Sequence, residues 1–213
     1  MLNIKRFMCN MLQENCYVVS DETKECVIID CGAYYQEERG AISLYIKNEG
    51  LKLVHLLATH GHLDHNWGNH ALFEKFGIKV ETLNEDAFLI ENLGKQASEL
   101  FGFQLNEPEA PVGTYLSKDK SVSFGNHSFT ILHTPGHTPG SCTFYCKEEK
   151  VAFTGDTLFR MSIGRTDFDG GSWTDMTESL GKLAKLPTET VIYSGHGPQT
   201  TIAEELQYNP YLR

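Results

Sequence analysis

The sequence lacks any long apolar run. Nowhere among its 213 residues do 18 uncharged apolar residues follow one another, which excludes a membrane-spanning helix on sequence grounds. A secretory signal peptide is not legible either, because polar residues between Asn10 and Asn15 interrupt the apolar residues that follow Arg6. We therefore expect a cytoplasmic protein.

Basic charge is also scarce. The 18 Lys and Arg residues are outnumbered by 28 Asp and Glu residues, which gives a net charge of −10. An acidic surface repels phosphate backbones and anionic lipids, so nucleic acids and membranes are disfavoured as partners. Nucleic-acid processing would in addition need a basic surface. A small-molecule partner is expected instead, and the oligomeric state stays open.

Cysteine occurs six times, but without a Cys-x-x-Cys pair or a spacing that indicates disulfides or a zinc knuckle. We expect these cysteines to be mostly small buried apolar residues. With 40% hydrophobic and 11% aromatic residues, the chain can bury a substantial core without disulfide bonds. The expected organisation is one domain over residues 1–213.

Strand-like and helix-like segments alternate along the chain. Apolar runs rich in Val, Ile, Thr and aromatic residues predict strands at about 16–20, 26–30, 52–58, 78–82, 120–124, 128–133, 141–146, 150–154 and 190–194. Helical patterns predict helices at about 36–49, 67–76, 85–101 behind an Asn84 cap, 172–186 behind a Ser172 cap, and 200–208. Gly102 to Leu116, with its prolines, is predicted to be a mobile loop between halves of about 1–105 and 115–213. Each half supplies strands followed by helices, which favours an α/β (α+β) fold with two packed sheets covered by helices, a four-layer αββα sandwich.

Five separate apolar runs end in an ionisable residue. The runs are VIID, LLATH, ILHTPGH, VAFTGD and VIYSGH, and they end at Asp30, His60, His137, Asp156 and His196. A rigid strand fixes where its last side chain points, so several strands can aim such groups at one place. The pattern predicts a shared active site at the strand ends.

The segment Thr59–His65 contains four potential metal ligands within six residues. These ligands are His60, His62, Asp64 and His65. Imidazole nitrogens and carboxylate oxygens bind zinc-like cations at about 2.0–2.2 Å. Gly61 lacks a β-carbon, so we expect a sharp turn there that lets neighbouring ligands reach two different cations.

Four segments in this order resemble the motifs of the metallo-β-lactamase superfamily: THGHLDH (59–65), HTPGHTPGS (133–141), FTGDTLF (153–159) and SGHGP (194–198). GRTDF (164–168) is most similar to the glyoxalase II-like branch, which includes hydroxyacylglutathione hydrolase-like enzymes. The resemblance spans nearly the whole chain and implies the αββα metallo-β-lactamase fold.

Carried over to this chain, the resemblance implies two divalent metal ions, with zinc expected first and iron or manganese as alternatives. It implies that His60, His62 and His137 bind one ion, that Asp64, His65 and His196 bind the other, and that Asp156 bridges them. It also implies that Asp30 is a buried acid that supports the histidine loop.

Two cations about 3.5–4 Å apart lower the pKa of a shared water toward about 7, which would supply a metal-bound hydroxide as nucleophile. Asp64 would orient that hydroxide and accept its proton. Asp30 and Thr59 are expected to accept hydrogen bonds from ligating imidazoles. Arg165, in the GRTDF stretch, is predicted to contact an anionic part of the substrate.

A metal-dependent thioester hydrolase, acting on an acyl-glutathione-like or other small acyl thioester, is the leading hypothesis. Members of the branch that use glutathione carry an additional C-terminal helical domain, whereas this sequence ends at Arg213 shortly after SGHGP, so glutathione itself is in question.

Three alternatives stay open. A persulfide dioxygenase of the same superfamily would use a single iron. A non-catalytic metal-binding module is disfavoured, because every motif position carries a usable ligand. Lactam hydrolysis is disfavoured by the missing secretion signal.

Overall fold

The fold contains two six-stranded β-sheets, each built from one part of the chain. The computed structural model describes residues 1–105 and 107–212. Asn106, inside the predicted loop, and Arg213, the last residue of the predicted domain, lie outside the described residues.

The first sheet uses its strands in chain order. They are β1 (Asn3–Cys9), β2 (Glu14–Ser20), β3 (Glu25–Ile29), β4 (Lys52–Leu57), β5 (Val80–Leu83) and β6 (Val112–Leu116). β1, β2 and β3 pair antiparallel, whereas β3 to β6 pair parallel. Parallel pairing brings the carboxyl ends of β3 and β4 to the same edge of the sheet.

The second sheet has the order β14-β13-β10-β9-β8-β7. Its strands are β7 (Ser121–Phe124), β8 (His127–His133), β9 (Cys142–Cys146), β10 (Val151–Gly155), β13 (Val191–Ser194) and β14 (Thr200–Thr201). A small separate hairpin is formed by β11 (Leu158–Phe159) and β12 (Ser162–Ile163). β10 and β13 are parallel, so their carboxyl ends also meet at one edge.

Helices connect and cover these strands. They are α1 (Gln36–Asn48), α2 (Asn69–Phe76), α3 (Ala87–Ile90), α4 (Leu93–Phe101), α5 (Trp173–Leu183) and α6 (Ile202–Tyr208). Single 3₁₀ turns occur at Leu63–His65 and Asn84–Asp86. The predicted cap of α5 is confirmed, since Ser172 Oγ accepts a hydrogen bond from the Asp175 amide at 3.2 Å.

The prediction of one helix over 85–101 was wrong. The segment is divided into a 3₁₀ turn, α3 and α4, and Asn84 is the first residue of the turn instead of a helix cap. At the division, the Asn92 side chain donates to the Phe88 carbonyl at 2.9 Å. Such a side-chain bond to the backbone competes with regular helix hydrogen bonding, and apolar periodicity does not reveal it.

The prediction of a loop through Leu116 was also wrong, because Val112–Leu116 is β6. Gly113 suggested a loop, yet a β-carbon there would lie only 2.8 Å from Cβ of Lys79. The pairing of β5 with β6 shifts register between Val80 and Glu81. The glycine therefore marks a close approach of two backbones at an irregularity in the sheet.

The main core lies between the two sheets. Side chains of β2 alternate, so that Val19 packs toward Phe153 and the second sheet while Val18 packs outward toward Ile42 of α1. On the other side, Met176 of α5 and its neighbours cover the outer face of the second sheet. The order is helix, sheet, sheet, helix, which confirms the predicted four-layer αββα sandwich.

Within residues 1–105 and 107–212, no helix has the length and apolar character needed to cross a bilayer.

Candidate metal centre

The seven predicted ligands follow strand ends in both sheets. His60, His62, Asp64 and His65 lie in the segment after β4, whereas His137, Asp156 and His196 follow β8, β10 and β13. The structure brings all seven together at one edge of the sandwich.

The first group contains three imidazoles. One nitrogen from each of His60, His62 and His137 lies within 4.8 Å of the others, and all three side chains are buried. Nδ1 of His62 is 2.9 Å from Nε2 of His137. Three imidazole nitrogens at this spacing form a suitable donor set for a transition-metal ion.

The second group is adjacent and contains Asp64, His65 and His196, whose ligand atoms also lie within 4.8 Å of one another. Nε2 of His196 is 3.2 Å from Nε2 of His65 and 3.3 Å from Oδ2 of Asp64. A mixed set of nitrogen and oxygen donors suits zinc, iron or manganese.

Asp156 lies between the two groups. Its Oδ1 is 3.4 Å from Nε2 of His65, and its Oδ2 is 3.6 Å from Nε2 of His137 and 3.7 Å from Nε2 of His196. One carboxylate therefore faces both donor sets, as a bridging ligand would.

The Nδ1 atoms of His137 and His196 face backbone carbonyls outside the centre. Nδ1 of His137 lies 2.7 Å from the carbonyl of Arg165, and Nδ1 of His196 lies 3.1 Å from the carbonyl of Leu12. A carbonyl only accepts, so each Nδ1 must carry the proton. The Nε2 lone pairs of His137 and His196 consequently face the centre, where a metal needs them.

Asp30 and Thr59 orient two further imidazoles. Asp30 Oδ2 accepts hydrogen bonds from Thr59 Oγ1 at 2.8 Å and from Nδ1 of His65 at 3.0 Å. The Thr59 hydroxyl proton is thereby used, so at 3.0 Å its oxygen accepts from Nδ1 of His60. Both histidines are left with Nε2 lone pairs, which is the arrangement predicted for supports of ligating imidazoles.

Two buried atoms without a hydrogen-bond partner indicate which kind of ligand the seven residues fit. Nε2 of His60 and Oδ1 of Asp156 have no hydrogen-bond partner among the described residues. Leaving a buried polar atom unpaired costs about 1–3 kcal/mol, so such atoms mark a missing partner. An electron-pair acceptor such as a divalent cation would satisfy both, and the residues therefore fit a metal.

Protonation states agree with this fit. Burial, together with the neighbouring His137, lowers the pKa of His62 to about 3, and burial lowers the pKa of His60 well below its usual range. Burial would raise the pKa of Asp156, but the histidines around it, His65 first, outweigh burial and hold that pKa well below its usual value. Neutral His60 and His62 beside an ionised Asp156 form a donor set ready for a cation. Burial lowers the pKa values of His65 and His196, but the carboxylates of Asp156 and Asp64 outweigh burial and raise them, so a cation bound by these two imidazoles would displace their protons.

The structure gives a different reason for a glycine at position 61 than the sharp turn expected from the sequence. Gly61 does not adopt a positive φ angle, so a sharp turn does not require it. A β-carbon at this position would instead lie 2.6 Å from Cβ of Leu89 and 3.2 Å from Cβ of Asp86. Glycine is needed because another segment packs directly against the histidine loop.

The turn between β1 and β2 also contributes to the site and was missed. Nδ2 of Asn10 donates to the carbonyls of Gly32 and Asp64, each at 2.9 Å. Two residues further on, the Leu12 carbonyl accepts the hydrogen bond from His196. Asn10 has a φ of 52°, a conformation that Asn tolerates well, so an Asn here is the sequence signal of this turn. The turn was missed because the edge strand β1 before it was not predicted.

A cavity of about 540 Å³ opens beside the donors. Its walls are largely apolar and include Leu12, Leu100, Phe101, Phe159 and Phe168. Such a lining suits the apolar part of a small ligand.

Arg165, the predicted substrate contact, also lines this cavity. Its guanidinium pairs with both carboxylate oxygens of Asp167 at 2.6 and 2.7 Å and lies 4.1 Å from the ring centre of Phe168. An anionic ligand would therefore have to compete with Asp167 for this cation.

Comparisons with known proteins agree with the geometry. A family model described as the metallo-beta-lactamase superfamily matches residues 9–196. Hydroxyacylglutathione hydrolase GloC from Haemophilus influenzae is 38% identical, and the alignment covers 99% of this chain and 98% of that relative.

Solved structures show the same similarity. The crystal structure of BLEG-1 B3 metallo-beta-lactamase has a TM-score of 0.89 and 36% identity, covering 100% of this chain and 99% of that chain. The structure of TTHA1623 in a di-iron-bound form has a TM-score of 0.85 and 35% identity, covering 98% of this chain and 100% of that chain.

Proposed function

The chain belongs to the metallo-β-lactamase superfamily and is a metallo-hydrolase, and we propose that it hydrolyses a small acyl thioester. The observation that carries the proposal is the convergence of the seven donors from both sheets beside an apolar cavity. The relative named hydroxyacylglutathione hydrolase GloC supports a thioester as the substrate class. As an enzyme, the chain is not the non-catalytic module considered from the sequence.

In this proposal, His60, His62 and His137 would hold one divalent metal, Asp64, His65 and His196 would hold a second, and Asp156 would serve both. Divalent metals bound there would activate water and polarise the thioester carbonyl. We expect zinc first, while the di-iron form of TTHA1623 keeps iron as an alternative.

Asp64 is proposed to orient the attacking water and to accept its proton. Burial raises the pKa of Asp64, but His65 and His196 outweigh burial and keep that pKa below its usual value. Its carboxylate is thus ionised at neutral pH and lines the cavity. Water adds to the carbonyl carbon, the carbon–sulfur bond breaks, and an acid and a thiol are released. Thiols ionise near pH 8.5, so a thiolate can leave without a strong proton donor.

The cavity suits a short acyl group and an extended thiol. Leu100, Phe101 and Phe168 offer apolar contacts, and Arg165 offers a cation for a carboxylate on the thiol side. Chain length does not argue against a glutathione thioester, because the GloC relative is matched over 98% of its own length.

The experiment is an assay of thiol release from acyl thioesters, including a hydroxyacyl-glutathione, with metal content measured on the same sample. We expect release with bound metal, none after chelation, and recovery when zinc, manganese or iron is returned. A β-lactam and a persulfide with oxygen-uptake measurement serve as comparison substrates. Full metal loading with zero thiol release would overturn the proposal, and oxygen uptake with one iron per chain would favour the dioxygenase.

A further inference from the structure

Asp86 is a buried carboxylate outside the predicted site. It closes the 3₁₀ turn before α3, and its side chain has no solvent exposure. It accepts three hydrogen bonds, from the amide of Gly61 at 2.8 Å, from Oγ1 of Thr138 at 2.7 Å and from the amide of Gly140 at 2.5 Å. Hydrogen bonds to an ionised acceptor are among the stronger ones in proteins.

Two of the three donors lie next to a proposed metal ligand of the three-histidine group, and the third, Gly140, lies three residues after His137. Gly61 stands between His60 and His62, and Thr138 follows His137 directly. The first loop, which contains Gly61, follows β4 of the first sheet. The second loop, which contains Thr138 and Gly140, joins β8 and β9 of the second sheet. A single carboxylate therefore joins the two loops that must face each other.

Gly61 and Gly140 lie so close to Asp86 that neither position has room for a β-carbon. A β-carbon at Gly140 would lie 2.5 Å from Cγ of Asp86, and one at Gly61 would lie 3.2 Å from Cβ of Asp86. Gly61 and Gly140 approach the carboxylate by their backbone amides, and the hydroxyl of Thr138 adds one side-chain contact from the second loop. The Asp86 side chain thus fills the gap between the backbones of Gly61 and Gly140.

The other donor set is supported by different residues. Asp30 orients His65, Asn10 holds the Asp64 carbonyl, and the Leu12 carbonyl orients His196. A change at Asp86 should therefore act on one group of ligands more than on the other.

We propose that Asp86 is a positioning residue that sets the distance between the His60–His62 loop and His137, and thereby the metal affinity of the three-histidine group. The inference rests on the proposed metal site but not on the substrate. Loss of a residue that supports ligands typically lowers metal affinity about 10- to 100-fold.

The test is Asp86→Asn, which keeps the size of the side chain but places an amide donor toward backbone donors. Metal affinity is measured by competition with a chromogenic chelator, and the melting temperature is measured with and without metal. We expect two ions to bind the native protein, and one of them to bind at least tenfold more weakly to the variant. The stabilisation by metal should shrink accordingly.

Glu205→Gln is the matched control. Glu205 is also fully buried and accepts three hydrogen bonds, from the Met161 amide at 2.8 Å, from Thr200 at 2.6 Å and from Asn209 at 2.7 Å. This variant should lower the melting temperature of the metal-free protein without changing the affinity for either ion. It separates a general loss of stability from a loss of ligand positioning.

Thr138→Val covers the case in which Asp86→Asn does not fold. It removes one of the three hydrogen bonds at nearly constant volume and should weaken the same ion by a smaller factor. Native affinity for both ions in the folded Asp86 variant, or in Thr138→Val if the former does not fold, would overturn the inference. Equal weakening of both ions would overturn it as well. If the unsubstituted protein binds two ions but has no thioesterase activity, the proposed function is refuted and this inference still stands.

Discussion

Nδ1 of His65 lies 3.0 Å from Oδ2 of Asp30, and both side chains are buried. The other oxygen of the same carboxylate accepts the backbone amide of Thr59 at 2.7 Å. Asp30 therefore fixes the orientation of the His65 imidazole and the path of the chain at Thr59, which directly precedes His60. Asp30 thus supports both groups of proposed ligands without being a proposed ligand itself, because His65 belongs to one group and His60 belongs to the other.

Asp30→Asn is expected to weaken metal binding about 10- to 100-fold, because an amide has only one acceptor oxygen and cannot serve both the Thr59 backbone amide and Nδ1 of His65, which bond different oxygens of the carboxylate. Chelator competition on the purified variant measures this effect. Glu205→Gln, a change at a buried carboxylate outside the metal centre, should leave metal affinity unaltered. Unchanged metal binding in the Asp30 variant would contradict a supporting role.

Asp64→Asn is expected to lower kcat about 10²- to 10⁴-fold, which is the usual contribution of a positioned proton acceptor. The three-histidine group does not include Asp64, so at least one ion should stay bound. Steady-state kinetics and elemental analysis of the same preparation check both statements. A variant with full metal content and near-native kcat would show that another group takes the proton.

Arg165→Ala is expected to raise KM roughly two- to fivefold for thioesters whose thiol part carries a carboxylate, since Arg165 is an exposed cation. For neutral thioesters KM should not change. Asp167→Asn is the matched variant: it releases Arg165 from its present partner and should lower KM for the anionic substrates. Equal effects of Arg165→Ala on neutral and anionic substrates would rule out a charge contact.

His127 provides a pH-dependent contribution to stability away from the metal centre. Burial lowers its pKa, but hydrogen bonds with Asp21 at 2.9 Å and Glu149 at 3.1 Å outweigh burial and raise it above the usual value. A raised pKa in the folded state stabilises the fold below the unfolded-state pKa of about 6.5, and this stabilisation disappears as the pH rises through the folded-state pKa.

His127→Gln should therefore lower the free energy of unfolding more at pH 6 than at pH 9. Denaturant unfolding of the native protein and the variant at both pH values gives the difference. The same trend is expected for Asp21→Asn, which removes the partner charge. An equal loss at both pH values would mean that His127 acts through packing alone.

The positions of the proposed ligands could be predicted because each belongs to a short motif at the end of an apolar run. Asp156 directly follows β10, and His196 follows β13 by two residues, so local pattern and tertiary position agree. The layers could be predicted from the order of strand-like and helix-like segments, because strands such as β2, which is buried along its whole length, must be covered on both faces.

Asp86 and Asn10 could not be predicted in the same way, whereas the supporting residues Asp30 and Thr59 could, because they belong to the segments VIID and THGHLDH. Asp86 stands in a segment that has the pattern of a helix start, and its partners are 25 and 52 to 54 positions away along the chain. Asn10 lies behind an edge strand whose residues are half exposed and carry Lys5 and Arg6. Local pattern does not report which distant backbone a polar side chain will meet.

The proposed ligands are divided between the two sheets, four on the first and three on the second. Turnover should consequently be sensitive to the alignment of two rigid bodies. A tilt of one sheet against the other, caused by a bulky substitution at a position such as Leu57 or Phe153, would displace one part of the donor set as a unit. Selection for catalysis in this chain therefore also constrains core residues that never touch the substrate.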